Sequence, residues 1–155
     1  SAEAEKFQIS NNKFQIKLPR PMIHSKDFNF SFSGLKTSVL YLVRDLKVPL
    51  ESVRTEIAHE AQEAIVDVLV SKTMKAAEKF QPKSILLAGG VSANKLLRQR
   101  LQDSCSMLHV PCSIPPLQYT TDNAAMVACA AYYRQIQNPN VKFQNVEANA
   151  NWEIA

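Results

Sequence analysis

Ser84-Ile85-Leu86-Leu87-Ala88-Gly89-Gly90-Val91-Ser92-Ala93-Asn94 decides the fold class. Its first five residues form a short continuous apolar run, the pattern of a strand buried on both faces of a parallel sheet. A glycine pair follows at once, and Ser92 is placed to cap a helix whose inner face carries Ala93, Leu97 and Leu101. Strand, glycine turn and helix make an α/β unit. With only three glycines in 155 residues, two of them adjacent here, the turn is a feature to explain. A glycine pair lets backbone approach a phosphate, and a helix N-terminus offers unpaired N–H groups and partial positive charge. The same pair also serves as a plain tight turn, and spacing alone does not separate the two.

Working outward, Pro82 ends a long helix expected from about Ser52 to Phe80. Val53, Ile57, Ala61, Ile65 and Leu69 form one apolar stripe, and Val66, Val70 and Met74 a second, so packing on two sides is expected. Before it, Ser33 is positioned to cap a helix with Leu35, Val39, Leu42 and Leu46 on one face, ending ahead of Pro49. Phe28, Phe30 and Phe32 alternate with polar residues as in a half-buried strand, with Gly34 breaking it. Residues 6–18 alternate on either side of Asn11-Asn12, which predicts a β-hairpin. Downstream, Met107–Val110 reads as a second buried strand. Thr121 or Asp122 then opens a last helix to about Ile136, with small inner residues Ala124, Ala125, Ala128, Ala130 and Ala131. In the tail, Val141, Phe143, Val146 and Trp152 are expected to cover the core. The elements predict a helix-rich α/β chain with too few strands for a complete doubly wound sheet.

Composition narrows the class further. A 46% hydrophobic and 21% charged content is that of a globular domain, and one domain is the default at this length. No apolar run is long enough to span a bilayer, and no signal peptide is seen, so a soluble, unsecreted chain is expected. An upstream portion can have been removed, however, which leaves targeting unreadable. Cys105, Cys112 and Cys129 lack Cys-x-x-Cys spacing and read as reduced thiols, while His59-Glu60 misses the zinc-protease pattern because Glu63 stands where its second histidine belongs. The net charge of +4 permits an RNA partner without requiring one.

Three segments carry the chemistry: Phe30-Ser-Phe-Ser-Gly-Leu-Lys-Thr37, Ala88-Gly-Gly-Val-Ser-Ala-Asn94 and Thr121-Asp-Asn-Ala-Ala-Met126, preceded by Leu18-Pro-Arg-Pro-Met22. In this order and spacing they resemble the TsaD family of tRNA threonylcarbamoyltransferases, formerly called O-sialoglycoprotein endopeptidases, from Pro19 onward. The resemblance implies residues 1–155 as one C-terminal fragment, with a hairpin and strand segment over 1–33 and a helix-rich α/β part over 34–155. The implied fold is a partial second lobe of the two-lobed actin-like ATPase (ASKHA, ribonuclease H-like) architecture. The implied activity is transfer of threonylcarbamoyl from its adenylate to N6 of the adenosine beside the tRNA anticodon, in the cytoplasm or a mitochondrion, with the fragment alone inactive.

By the same resemblance Gly89, Gly90 and Asn94 bind threonylcarbamoyl-adenylate or ATP, and Asp122 ligates iron or zinc whose histidine ligands lie in the missing N-terminal lobe. Read locally, Asp122 is instead an ordinary helix cap. Lys36 faces either solvent or else substrate or tRNA phosphate, and Lys95, Arg98 and Arg100 form a basic run that is either a solvated face or a contact to tRNA backbone. The family has glycine where Ala124 stands, which bears on ligand geometry. No general base is evident. Implied partners are tRNA, the missing lobe and the proteins of the threonylcarbamoylation complex, with self-association through uncovered apolar surface and no membrane. The alternatives are a non-catalytic actin-fold nucleotide binder that uses the long helix as an interaction surface, and a metalloprotease as in the older family label.

Overall fold

The computed structural model describes residues 8–10 and 13–140, with side chains from residue 16 onward. The expected turn at Asn11-Asn12 and the expected covering residues of the tail lie outside the described residues. The hairpin strands are present: β1 (Gln8–Ser10) pairs antiparallel with β2 (Lys13–Gln15), Ile9 opposite Phe14.

The organising element is α2 (Arg54–Phe80), entered through a 3-10 turn at Leu50–Ser52 and ended by Gln81 in the left-handed conformation before Pro82. It packs against α1 (Ser33–Arg44) and, more extensively, against α3 (Lys95–Met107). On the α1 side Leu18, Leu35 and Ala64 form a buried cluster, with Ile16, Phe32, Val39, Leu42, Ala61 and Ile65 around it. On α3, Leu97, Leu101 and Cys105 are buried. Two-sided packing of α2 therefore holds, and residues 54–56 and 78–80 at its two ends stay exposed.

The expected strand at Phe28–Phe32 does not form; these residues have no partner strand among the described residues, and Phe30 is 48% exposed. The reason is a buried cation that sequence reading missed. Lys72, 1% exposed on α2, donates from Nζ to Ser25 Oγ (2.6 Å) and to the backbone carbonyls of Asn29 (2.6 Å) and Asp27 (3.3 Å). Lys75 Nζ reaches the Ile23 carbonyl, and Phe28 turns onto Phe80 at 5.5 Å between ring centroids. Tethered at these points, residues 22–29 follow α2 rather than a sheet. Gly34 sits inside the first turn of α1 rather than ending a strand, and Ser33 does not cap that helix, whose N-cap position is Phe32 with no side-chain cap bond.

The glycine segment has its strand, shortened to β3 (Ile85–Leu86). It pairs in parallel with β4 (Cys112–Ser113), not with the expected Met107–Val110. Met107 instead ends α3, and His109 takes a left-handed φ of 55° while its N–H bonds the Ser106 carbonyl and that of Val110 bonds the Cys105 carbonyl. This is a Schellman helix end with histidine in the usual glycine position. Ile85 and Leu87 are half-buried but Leu86 is 73% exposed, so the strand is less enclosed than its apolar run predicts. The last helix, α4 (Ala124–Gln137), buries no residue, and its small positions are exposed rather than packed. No helix among the described residues is long and apolar enough to cross a membrane.

Candidate functional site

Parallel pairing puts the carboxyl ends of β3 and β4 side by side, tied by Ile85 N–H to the Pro111 carbonyl (2.8 Å) and Leu87 N–H to the Ser113 carbonyl (3.0 Å). Two loops leave this edge: the glycine loop after β3, and a segment after β4 running through Pro115 and a 3-10 turn at Leu117–Tyr119 to Asp122. Crevices outside the carboxyl ends of parallel strands are where α/β proteins place ligands.

Gly89 lies at φ 82°, ψ 172°, a region open to glycine alone, so its identity is set by the backbone. Gly90 begins a 3-10 turn (Gly90–Ala93) between the glycine pair and α3, and a Cβ built on either glycine meets nothing within 4 Å. Both glycines and Val91 are exposed, leaving the loop backbone open to a ligand. Ser92 is fully buried with its Oγ unpaired among the described residues, and it does not cap the helix as expected. Asn94 does: its Oδ1 accepts from the Leu97 N–H at 3.0 Å, while its Nδ2 donates to Gln62 Oε1 on α2, also at 3.0 Å. Asn94 thus fixes the loop to two helices. Ala93, expected inside, is exposed.

At the other loop, the cap expected of Asp122 is supplied by Asn123, whose Oδ1 accepts from the Met126 N–H (2.9 Å) and whose Nδ2 donates to the Thr121 carbonyl (2.8 Å). Asp122 is exposed, with no hydrogen-bond or ion-pair partner among the described residues. Ala124, the first residue of α4, is exposed as well. No three histidine, cysteine or acidic side chains gather closely enough to hold a metal among the described residues. One exposed carboxylate does not retain a transition metal, so these residues alone do not make a metal centre.

The four basic residues singled out from sequence do not act as one patch. Lys36 and Lys95 are exposed. Arg98 directs its guanidinium onto the Ser92 and Pro115 carbonyls. Arg100 is paired with Glu63 and Asp67 of α2, and Asp67 also binds Arg20, whose other partners are Glu60 and the Leu18 carbonyl. The Glu60 and Asp67 carboxylates hold the Arg20 guanidinium above its ordinary pKa. Arg20, Asp67 and Arg100 border an open cleft of about 600 Å³ between α2, α3 and residues 20–24, with Val70 and Met74 of the second apolar stripe in its wall. Arg20 carried a sequence signal through its place in the Leu18–Met22 segment; nothing in the pattern marked Lys72, which occurs in an otherwise ordinary helix turn.

Residues 2–129 match the family model for TsaD, tRNA N6-adenosine threonylcarbamoyltransferase. The chain belongs to the TsaD family. Among TsaD relatives, the tRNA N6-adenosine threonylcarbamoyltransferase of Thermosipho africanus is 44% identical over 133 residues, covering 84% of this chain and 39% of the relative. That of Moorella thermoacetica is 42% identical over 136 residues, 87% of this chain and 40% of the relative. That of Nitrosospira multiformis is 39% identical over 153 residues, 97% and 44% respectively. The chain therefore spans about two fifths of the length of the TsaD relatives it matches.

Proposed function

We propose that this chain is the C-terminal part of a tRNA threonylcarbamoyladenosine synthase that transfers threonylcarbamoyl from its adenylate to N6 of the adenosine beside the anticodon. The match of residues 2–129 to the TsaD model carries this reading. In it, residues 1–155 belong to the second lobe of an actin-like fold, and the rest of the protein supplies the other lobe and the companion metal ligands. Partner proteins of the threonylcarbamoylation complex and tRNA bind the assembled enzyme, and the fragment by itself lacks activity.

Within this chain the glycine loop would present backbone N–H groups to the phosphate of the adenylate or ATP. Its openness supports that role, because a Cβ on Gly90 finds empty space that a ligand can fill. Asn94 would hold the loop in register through α3 and Gln62. Asp122 would contribute one carboxylate to iron or zinc, a role supported by its exposure and by the fact that Asn123 already performs the capping.

The decisive experiment uses the intact protein with Asp122→Asn and Gly90→Val. Because Asp122 caps nothing, its replacement should leave metal-free thermal stability unchanged while lowering metal content and modified nucleoside formed in tRNA. Gly90→Val should weaken ATP binding. Gly89→Val is the poorer probe, since a side chain at φ 82° is strained whatever the ligand does. Unchanged metal content and transfer in Asp122→Asn would remove that residue from the site.

A further inference from the structure

We infer that Arg98 is a positioning residue that sets the spacing of the two loops proposed to hold nucleotide by clamping them together. The inference rests on the reading of the glycine loop as a nucleotide site. From the second turn of α3, Arg98 Nε donates to the Ser92 carbonyl in the glycine loop at 2.5 Å, and its Nη2 donates to the Pro115 carbonyl in the segment after β4 at 2.6 Å. These are the two loops that leave the carboxyl ends of the paired strands. Between Leu87–Ser113, the last hydrogen bond of the ladder, and the ends of the loops, Arg98 joins the two by side chain.

The chemistry suits a clamp. Nε–H and one Nη2–H lie on the same edge of a rigid planar guanidinium, so donating both fixes the relative position of the two accepting carbonyls. A lysine carries its donors on one nitrogen at the end of a flexible stem and does not reproduce that fork. Both carbonyls belong to half-buried or buried residues, Pro115 and Ser92, and Arg98 is itself half-buried, so water competes poorly for the contacts. The Ser92 carbonyl lies two residues beyond Gly90, and Pro115 lies seven before Asp122. A shift in either carbonyl is passed along a short segment to the residues proposed to meet ligand. The same geometry argues against Arg98 as an RNA phosphate contact, because its side-on donors are engaged within the protein.

The test compares Arg98→Lys and Arg98→Ala with wild type in the intact protein, using ATP as the nucleotide probe and tRNA as the second ligand. The clamp predicts an ATP dissociation constant raised about tenfold or more in both variants, since charge alone does not replace the fork. Low-millimolar guanidinium should restore part of the lost affinity in Arg98→Ala. Affinity for tRNA, and its dependence on salt, should stay at wild-type values. An ATP affinity unchanged in Arg98→Lys overturns the inference, as does a salt slope for tRNA binding reduced by about one, the mark of a lost phosphate contact. If Arg98→Ala does not fold, Arg98→Lys decides by the same readings. Failure of the wild-type protein to bind ATP would instead sink the nucleotide reading of the loop, and the clamp with it.

Discussion

α2 and α4 are both helices, yet α2 packs against α1, α3 and residues 22–29, while α4 buries none of its described residues. α2 buries Val66, Val68 and Ala64, holds residues 22–29 through Lys72 and Lys75, and bridges to α3 through Glu63, Asp67 and Arg100. α4 exposes Met126, Val127, Tyr132, Tyr133 and Ile136, with the Tyr132 and Tyr133 rings edge to face at 5.5 Å. Apolar side chains on such a helix have no local reason to be there, because burial is what makes them favourable. The contrast teaches that an amphipathic pattern states that a helix has a partner without stating where the partner lies.

The largest expected effect is at Lys72. Lys72→Met keeps the stem but leaves the Ser25 hydroxyl and the Asp27 and Asn29 carbonyls without their donor, and should cost about 3 kcal/mol in urea unfolding. Val127→Ala on α4 should stay within about 0.5 kcal/mol in the same chain. Equal losses at the two sites would erase the distinction between the helices.

Next comes thiol reactivity. Burial, reinforced by the neighbouring Cys112 thiol, pushes Cys105 up to about 11, while Cys129 on α4 is exposed. Iodoacetamide at mildly alkaline pH should therefore alkylate Cys129 at least about a hundredfold faster than Cys105 in the folded chain, since the thiolate is the reacting form. Mass spectrometry of a time course reads both rates. Protection of Cys129 that vanishes on dilution would show α4 covered by a second copy.

The smallest effect is on acid. Asp27 is held below the usual 3.8, first by the Ser25 hydroxyl, then by the Asn29 N–H, with Lys72 adding to them and burial opposing. A carboxyl lowered in the folded state lends stability that is present above its unfolded pKa and lost as pH falls through the folded one. The Asn29 amide resonance should thus shift only at a pH below the range in which an ordinary aspartate titrates, while α4, which contains no acidic residue, shows no matching step. Loss of the step in Asp27→Asn would tie it to this tether; a step that persists would assign it elsewhere.

Local signals carried much of the architecture. Two apolar stripes and Pro82 were enough to place α2 and its two-sided packing, and the apolar run before Gly89-Gly90 marked a strand in a parallel pair. Those features depend on periodicity and on residues whose backbone preferences are strong. The site was legible in its segments but not in its contacts. Asn94 and Asn123 each sit at the N-cap position where Ser92 and Asp122 were expected, because neighbouring polar residues compete for one cap and only the chain's path chooses between them. The end of α3 was missed because His109 adopts a conformation usually signalled by glycine. Arg98 and Arg100 stood open between a solvated face and phosphate contact, and Lys72 carried no signal, since nothing in a linear pattern shows which partner will arrive beside a cation.

By itself the sequence determined the family, the helix-rich character and the position of the glycine turn, all of which are written in short segments whose meaning survives without neighbours. Only the tertiary structure decided which polar groups are occupied. It gave Asn94 to α3 and Gln62, Arg98 to two loop carbonyls and Lys72 to residues 22–29, and it left Asp122 without a partner among the described residues. The physical reason is that a hydrogen bond or ion pair depends on distances of a few ångströms between residues remote in sequence, and those distances exist only once the helices have packed.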